Sequence, residues 1–134
     1  MDTNPITRLL DAVAAGTGVP TDIFAPDAVL DATVPGWRFE KHGPAAIATK
    51  LSGWYETPAT LTEVTRSPVP GGETVRFTQA CDGPAGPWAA RQVHVLTVDG
   101  GRIVRQEMWC GGRWDAERQA AMRADLELAR AAAR

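Results

Sequence analysis

Two cysteines, two histidines and a single tyrosine in 134 residues leave little material for several kinds of chemistry. Cys81 and Cys110 stand far apart and form no C-x-x-C pair, so reduced thiols and a cytoplasmic location are the expectation. His42 and His94 sit in no H-E-x-x-H frame, and neither a metal site nor a cofactor is expected. No run of 18 apolar residues exists, and the opening Met1-Asp-Thr-Asn-Pro has no apolar signal core, so no membrane association is expected. Charge nearly balances, with 14 Lys and Arg against 16 Asp and Glu. The basic residues are scattered, which argues against a nucleic-acid partner. There is no phosphate loop or G-x-G-x-x-G, and Ser52 and Ser67 lack a nucleophile-elbow context.

What remains is an ordinary globular composition, 44% hydrophobic and 22% charged, of single-domain size. Its oddity is tryptophan: Trp37, Trp54, Trp88, Trp109 and Trp114. Each buries on the order of 200 Å² and carries one N–H that needs a partner. They either fill a core or line a hollow for a flat guest, with Trp37, Trp54, Trp88 and Trp109 as the candidates for the hollow.

The pattern along the chain predicts α+β structure. Asn4 and Pro5 read as the cap and first residue of a helix carrying Ile6, Leu9, Leu10 and Val13, ended by Gly16 and Gly18. A short turn over Thr21 to Phe24 leads into a strand at Val29 to Val34, with a short partner from Trp37. Gly43-Pro44 opens a second helix with Ile47, Leu51 and Trp54 on one face. Strands follow at Leu61 to Pro68 and Thr74 to Ala80, then a closing hairpin turned at Asp99-Gly100-Gly101. Residues 115–134 read as an Ala- and Arg-rich helix with a thin apolar stripe, appended to a domain over 1–114.

In the closing hairpin, alternation puts Trp88, Ala90, Gln92, His94, Leu96 and Val98 on one face, and Ile103, Arg105, Glu107 and Trp109 on one face of the returning strand. A histidine and a glutamate on hydrophobic strands are costly to bury without partners, which points to a pocket lined by sheet. Gln92 and Leu96 join the tryptophans as candidate lining residues. The opposite face, with Val93, Val95, Thr97, Val104 and Met108, is too apolar for an open sheet surface and predicts self-association.

Three stretches carry a resemblance: Phe24-Ala-Pro-Asp-Ala-Val-Leu-Asp-Ala-Thr-Val-Pro-Gly, His42-Gly-Pro-Ala-Ala-Ile, and Val93-His-Val-Leu-Thr-Val-Asp-Gly-Gly-Arg-Ile-Val with the following Met-Trp. With these the chain resembles the NTF2-like superfamily, in its SnoaL-like and ketosteroid-isomerase-like branch, over roughly residues 4 to 114. The resemblance implies a cone-shaped, curved antiparallel sheet wrapped around helices, and homodimers formed through the convex sheet face. It also implies a small hydrophobic molecule in the hollow.

In the ketosteroid isomerases an acid at the point of this strand where His94 stands donates a hydrogen bond to the dienolate oxygen. A neutral imidazole N–H at His94 has the same capacity, against the alternative of a packed histidine bonded to backbone. The isomerase base falls at Ala32, one residue beyond Asp31, and a shift of one reverses side-chain direction. Either a bulge returns Asp31 to the hollow or the base is missing. Glu107 facing His94 would make a carboxylate–imidazole pair, and Arg105 could instead neutralise it. His42 reads as a surface loop residue. Epoxide hydrolases of the superfamily use an Arg-x-Asp pair on a central strand; here the pair Arg113-Trp-Asp115 reads as lying past the last strand. The expectation is cofactor-free acid/base chemistry, an isomerase, cyclase or dehydratase acting on an aromatic or polyketide-like substrate through His94, Asp31 and Glu107. The alternative is non-catalytic binding or assembly on the same fold.

Overall fold

In the computed structural model the described residues are 3–134; Met1 and Asp2, which open the segment read as lacking a signal core, lie outside them. Helix α1 spans Pro5–Ala15. The Asn4 carboxamide oxygen accepts from the backbone N–H of Ile6 at 2.9 Å and of Thr7 at 3.1 Å, satisfying two donors that a helix start leaves open. A 3₁₀ turn at Thr21–Ile23 leads into β1 (Phe24–Val34), β2 (Trp37–His42) and α2 (Pro44–Trp54). Then come β3 (Ala59–Val69), β4 (Gly72–Gly83), β5 (Gly86–Asp99), β6 (Arg102–Asp115) and α3 (Ala116–Ala133). Every predicted element is present, and most strands run longer than predicted.

The six strands form one curved, unclosed sheet in the order β2-β1-β6-β5-β4-β3. Neighbours are antiparallel except β1 and β6, which run parallel and make the sheet mixed. A parallel pair needs a long crossover, and everything from β2 to β5 supplies it. The β5–β6 turn has positive φ at both Gly100 (59°) and Gly101 (76°), the geometry that matches the twist of a tight hairpin.

The inner face of the sheet packs on α1 and α2. Ile6, Leu9 and Val13 from α1 and Ile47 and Leu51 from α2 meet Leu30, Ala32, Val75, Phe77, Leu96, Ile103 and Met108 from the strands. Burying a side chain of the size of Leu51 contributes roughly 2 kcal/mol. On the other face lies α3, none of whose residues is buried. Among the described residues no helix is long and apolar enough to cross a membrane.

Two β-bulges in β6 decide which side chains reach the interior. Val98 pairs with Ile103 but Thr97 pairs with Arg105, so β6 has one extra residue there and its alternation flips. Beyond the bulge Gln106 and Met108 face inward, 0% and 1% exposed, while Arg105, Glu107 and Trp109 face outward. The second bulge lies between Cys110, opposite Gln92, and Arg113, opposite Ala90. Gly112, at φ 92°, makes it possible, since a Cβ there would come within 3.0 Å of Pro35 Cγ. After it, Arg113 points inward again.

Candidate functional site

Between the end of α2 and the inner face of the sheet is a cavity of about 210 Å³. Its floor is Tyr55, Gln79, Ala90, Gln92 and Met108, all buried. Trp54 forms one wall, and Pro35 and Arg113 are exposed at the mouth. Tyr55 gets there because it caps α2, its backbone N–H bonding the Leu51 carbonyl. Gln79 and Gln92 get there as inward positions of the paired strands β4 and β5.

Behind the floor runs a continuous chain of buried polar side chains. Gln106 Nε2 stands 3.0 Å from His94 Nδ1, and an amide donor there makes Nδ1 the acceptor. The imidazole proton then sits on Nε2 and is donated to Gln92 Oε1 at 3.0 Å. The same oxygen accepts from the Tyr55 hydroxyl at 2.5 Å. Gln92 Nε2 donates to Gln79 Oε1 at 2.9 Å, and Gln79 Nε2 donates to Cys81 Sγ at 3.6 Å. One atom is left over: Gln106 Oε1 is buried without a hydrogen-bond partner.

Every member of this chain is neutral. Burial holds His94 down to a pKa of about 4, with the Phe77 ring stacked 5.3 Å away. Burial also pushes the Tyr55 phenol far above its ordinary value, against a smaller downward pull from Gln92 and Arg113. No carboxylate among the described residues lines the cavity. Among the described residues no three His, Cys, Asp or Glu side chains converge as a metal site would require.

Among the described lining residues Arg113 brings the one formal charge. Its guanidinium lies 4.0 Å from the centroid of the Trp88 ring, and Nη2 donates to the Trp54 carbonyl at 3.0 Å. The strand reaches Asp115, so the Arg113-Trp-Asp115 triplet is on β6 and not beyond it. Asp115 is occupied, however, accepting from the Arg118 N–H as the cap of α3.

The predicted residues divide sharply. His94 projects inward as expected, but it stands behind the cavity wall and reaches it through Gln92. Gln92 and Trp54 line the cavity. Leu96 does not; it is 1% exposed and packed in the core. Trp88 stays outside the lining and touches the site through Arg113. Trp37 is 70% exposed at the start of β2.

Glu107 and Trp109 are corrections, because the first β6 bulge turns them to the outer face and turns Met108, predicted outward, into the core. Asp31 is a correction of a different kind. No bulge rescues it: Leu30 and Ala32 take the inward positions, and Asp31 lies on the outer face beneath Arg38 and Arg105. No pairing of Glu107 with His94 forms; Glu107 bonds Arg105 instead. His42 is a surface residue paired with Glu40.

Tyr55 and Arg113 are the site residues that sequence reasoning passed over. Tyr55 is the chain's single tyrosine and follows directly on the predicted helix. Arg113 follows two consecutive glycines, a signal for a bulge that re-aims the next side chain.

No protein-family model matches the chain, and no curated protein does. Solved structures do. An NTF2-like protein from Anabaena variabilis superposes with a TM-score of 0.69 at 11% identity, over 81% of this chain and 84% of its own. A provisionally assigned isomerase from Bacillus subtilis gives 0.62 at 15%, over 81% and 89%. A provisionally assigned polyketide cyclase from Pseudomonas putida gives 0.60 at 15%, over 89% and 96%. At these identities the likeness is one of fold, and the chain has the NTF2-like fold.

Proposed function

We propose that this chain is a small-molecule-binding protein, with the inner cavity as its receptor site. The guest is compact and largely apolar, and it meets the Tyr55, Gln79 and Gln92 side chains at the floor. The observation that carries this reading is the chemistry of the cavity wall. Its floor presents neutral amides and a phenol, Arg113 stands at the mouth, and among the described residues no carboxylate lines it. Such a wall orients a guest and does not move its protons. Size narrows the guest further. A cavity of about 150 Å³ accepts benzene, so about 210 Å³ suits one or two fused rings.

A second reading, a SnoaL-like isomerase or cyclase acting on a polyketide-like substrate, is favoured by the descriptions of the Bacillus and Pseudomonas neighbours. It would have to route a proton through His94, whose two ring nitrogens already serve Gln92 and Gln106. The two readings separate in one experiment. One- and two-ring aromatics are titrated against the protein by calorimetry, and the bound compound is recovered and weighed by mass spectrometry. Binding with the compound unchanged is the expected result, and Ala90→Leu, which fills the cavity, should weaken it at least about tenfold. A product of altered structure would favour the enzyme. Failure of every compound to bind, or indifference to Ala90→Leu, would overturn the binding reading.

A further inference from the structure

We propose that the guest of this cavity is a small cyclic monocarboxylate, its ring in the hollow beside Trp54 and its carboxylate received at the mouth by the Arg113 guanidinium. The inference rests on the reading of the cavity as a binding site and adds the charge and polarity of what enters it.

Arg113 is held in place from two sides. Trp88 supports the flat of the guanidinium at 4.0 Å, and the Trp54 carbonyl fixes Nη2 at 3.0 Å. A long side chain ordered in advance loses less entropy when a ligand arrives. Among the described residues only one of its N–H groups is engaged in a hydrogen bond, so an edge of the planar fork remains for a carboxylate, which it matches two bonds at a time.

Its charge is also unspent. Arg38 and Arg105 bond Asp31, Arg66 bonds Glu73, and Arg91 lies near Glu63. Among the described residues no carboxylate pairs with Arg113. Among the described residues, the cavity it guards offers no acid to repel an anion and no second cation to compete for it. A ring fills an apolar hollow of this size, and a single negative charge at its edge completes the guanidinium.

The test compares 2-naphthoate with 2-naphthamide, which have nearly the same shape and differ in charge, by titration calorimetry on the full chain. Naphthoate should bind at least about tenfold more tightly than naphthamide. In Arg113→Gln that gap should close, and Arg113→Lys should retain part of it. Raising salt from about 0.05 to about 0.5 M should weaken naphthoate several-fold and leave naphthamide unmoved, a readout on the unaltered protein that needs no variant to fold. Equal affinities, or a gap that survives Arg113→Gln, would overturn the inference while leaving the cavity a binding site. Binding of neither compound would overturn both.

Discussion

Asp31 and Glu107 are register partners across the parallel β1–β6 pair, and a single guanidinium, Arg105, bonds them both, Nη2 to Asp31 at 3.3 Å and Nε to Glu107 at 3.2 Å. This cluster lies on the opposite face of the sheet from His94. Arg38 completes it with two bonds to Asp31, at 2.9 and 2.7 Å. Those hydrogen bonds hold the Asp31 carboxyl below its ordinary pKa despite its burial, and the charges of Arg38 and Arg105 add to the effect. The two carboxylates read from the sequence as catalytic candidates thus sit together at the one parallel seam of the sheet, bridged by Arg105.

Asp31→Asn should accordingly lower stability and spare the cavity. The side chain keeps its shape but loses its charge beneath two arginines, and a loss of about 1–3 kcal/mol is expected in urea unfolding. Affinity for any cavity ligand should stay within about twofold. A variant of undiminished stability that had lost its ligand would return Asp31 to the site.

His94 should show itself in the pH dependence of stability. Its folded pKa of about 4 lies below the 6.5 of the free side chain, so between those values the unfolded chain binds a proton that the native protein refuses. Stability then falls as pH drops through that window, by up to about 3 kcal/mol, and the loss levels off below it. Asp31, Asp22 and Glu73, whose pKa values are lowered by arginine partners, add their own loss only further down, as each is protonated. Unfolding followed from pH 7 to pH 4 should show the slope in the native protein and a flatter profile in His94→Gln. An identical slope in both would assign the acid sensitivity elsewhere.

The elements were legible in the sequence because each carries a local signal: Asn4-Pro5 at one helix start, Gly43-Pro44 at the next, Gly100-Gly101 in the hairpin. The inward direction of His94 was legible too, since β5 alternates without interruption from Gln92 to Leu96. The faces of β6 were not. A bulge adds one residue, and nothing in Ile103-Val104-Arg105 distinguishes a bulge from a plain strand. That single residue exchanged Glu107 and Trp109 for Gln106 and Met108 and removed the anticipated His–Glu pair. Arg113 was hidden for a related reason, because Gly111-Gly112 reads as the end of a strand although the strand continues through it.

The outer sheet face should still join two copies, as the resemblance implied. Trp109 and Val64 are each 45% exposed there, beside an open groove of about 760 Å³. Sedimentation at micromolar concentration should give about twice the 14.3 kDa of one chain. Trp109→Glu puts a charge into that surface without touching the core and should yield a monomer. A wild-type protein that sediments only as a monomer would exclude the pairing.

Helix α3 provides the complementary test, because it is long, well capped and almost uncovered. Leu126 and Leu128 are 51% and 71% exposed, and the helix meets the outer face only loosely, around Trp114 and Met122. A helix that buries so little contributes little to the fold of its own chain. Truncation after Asp115 should therefore shift the melting temperature by only a few degrees and leave cavity binding intact. If α3 lies in the interface between two copies, the shift will grow with protein concentration and shrink on dilution, because a dimer's stability depends on concentration and a monomer's does not. A large loss at every concentration would make α3 part of the single-chain fold.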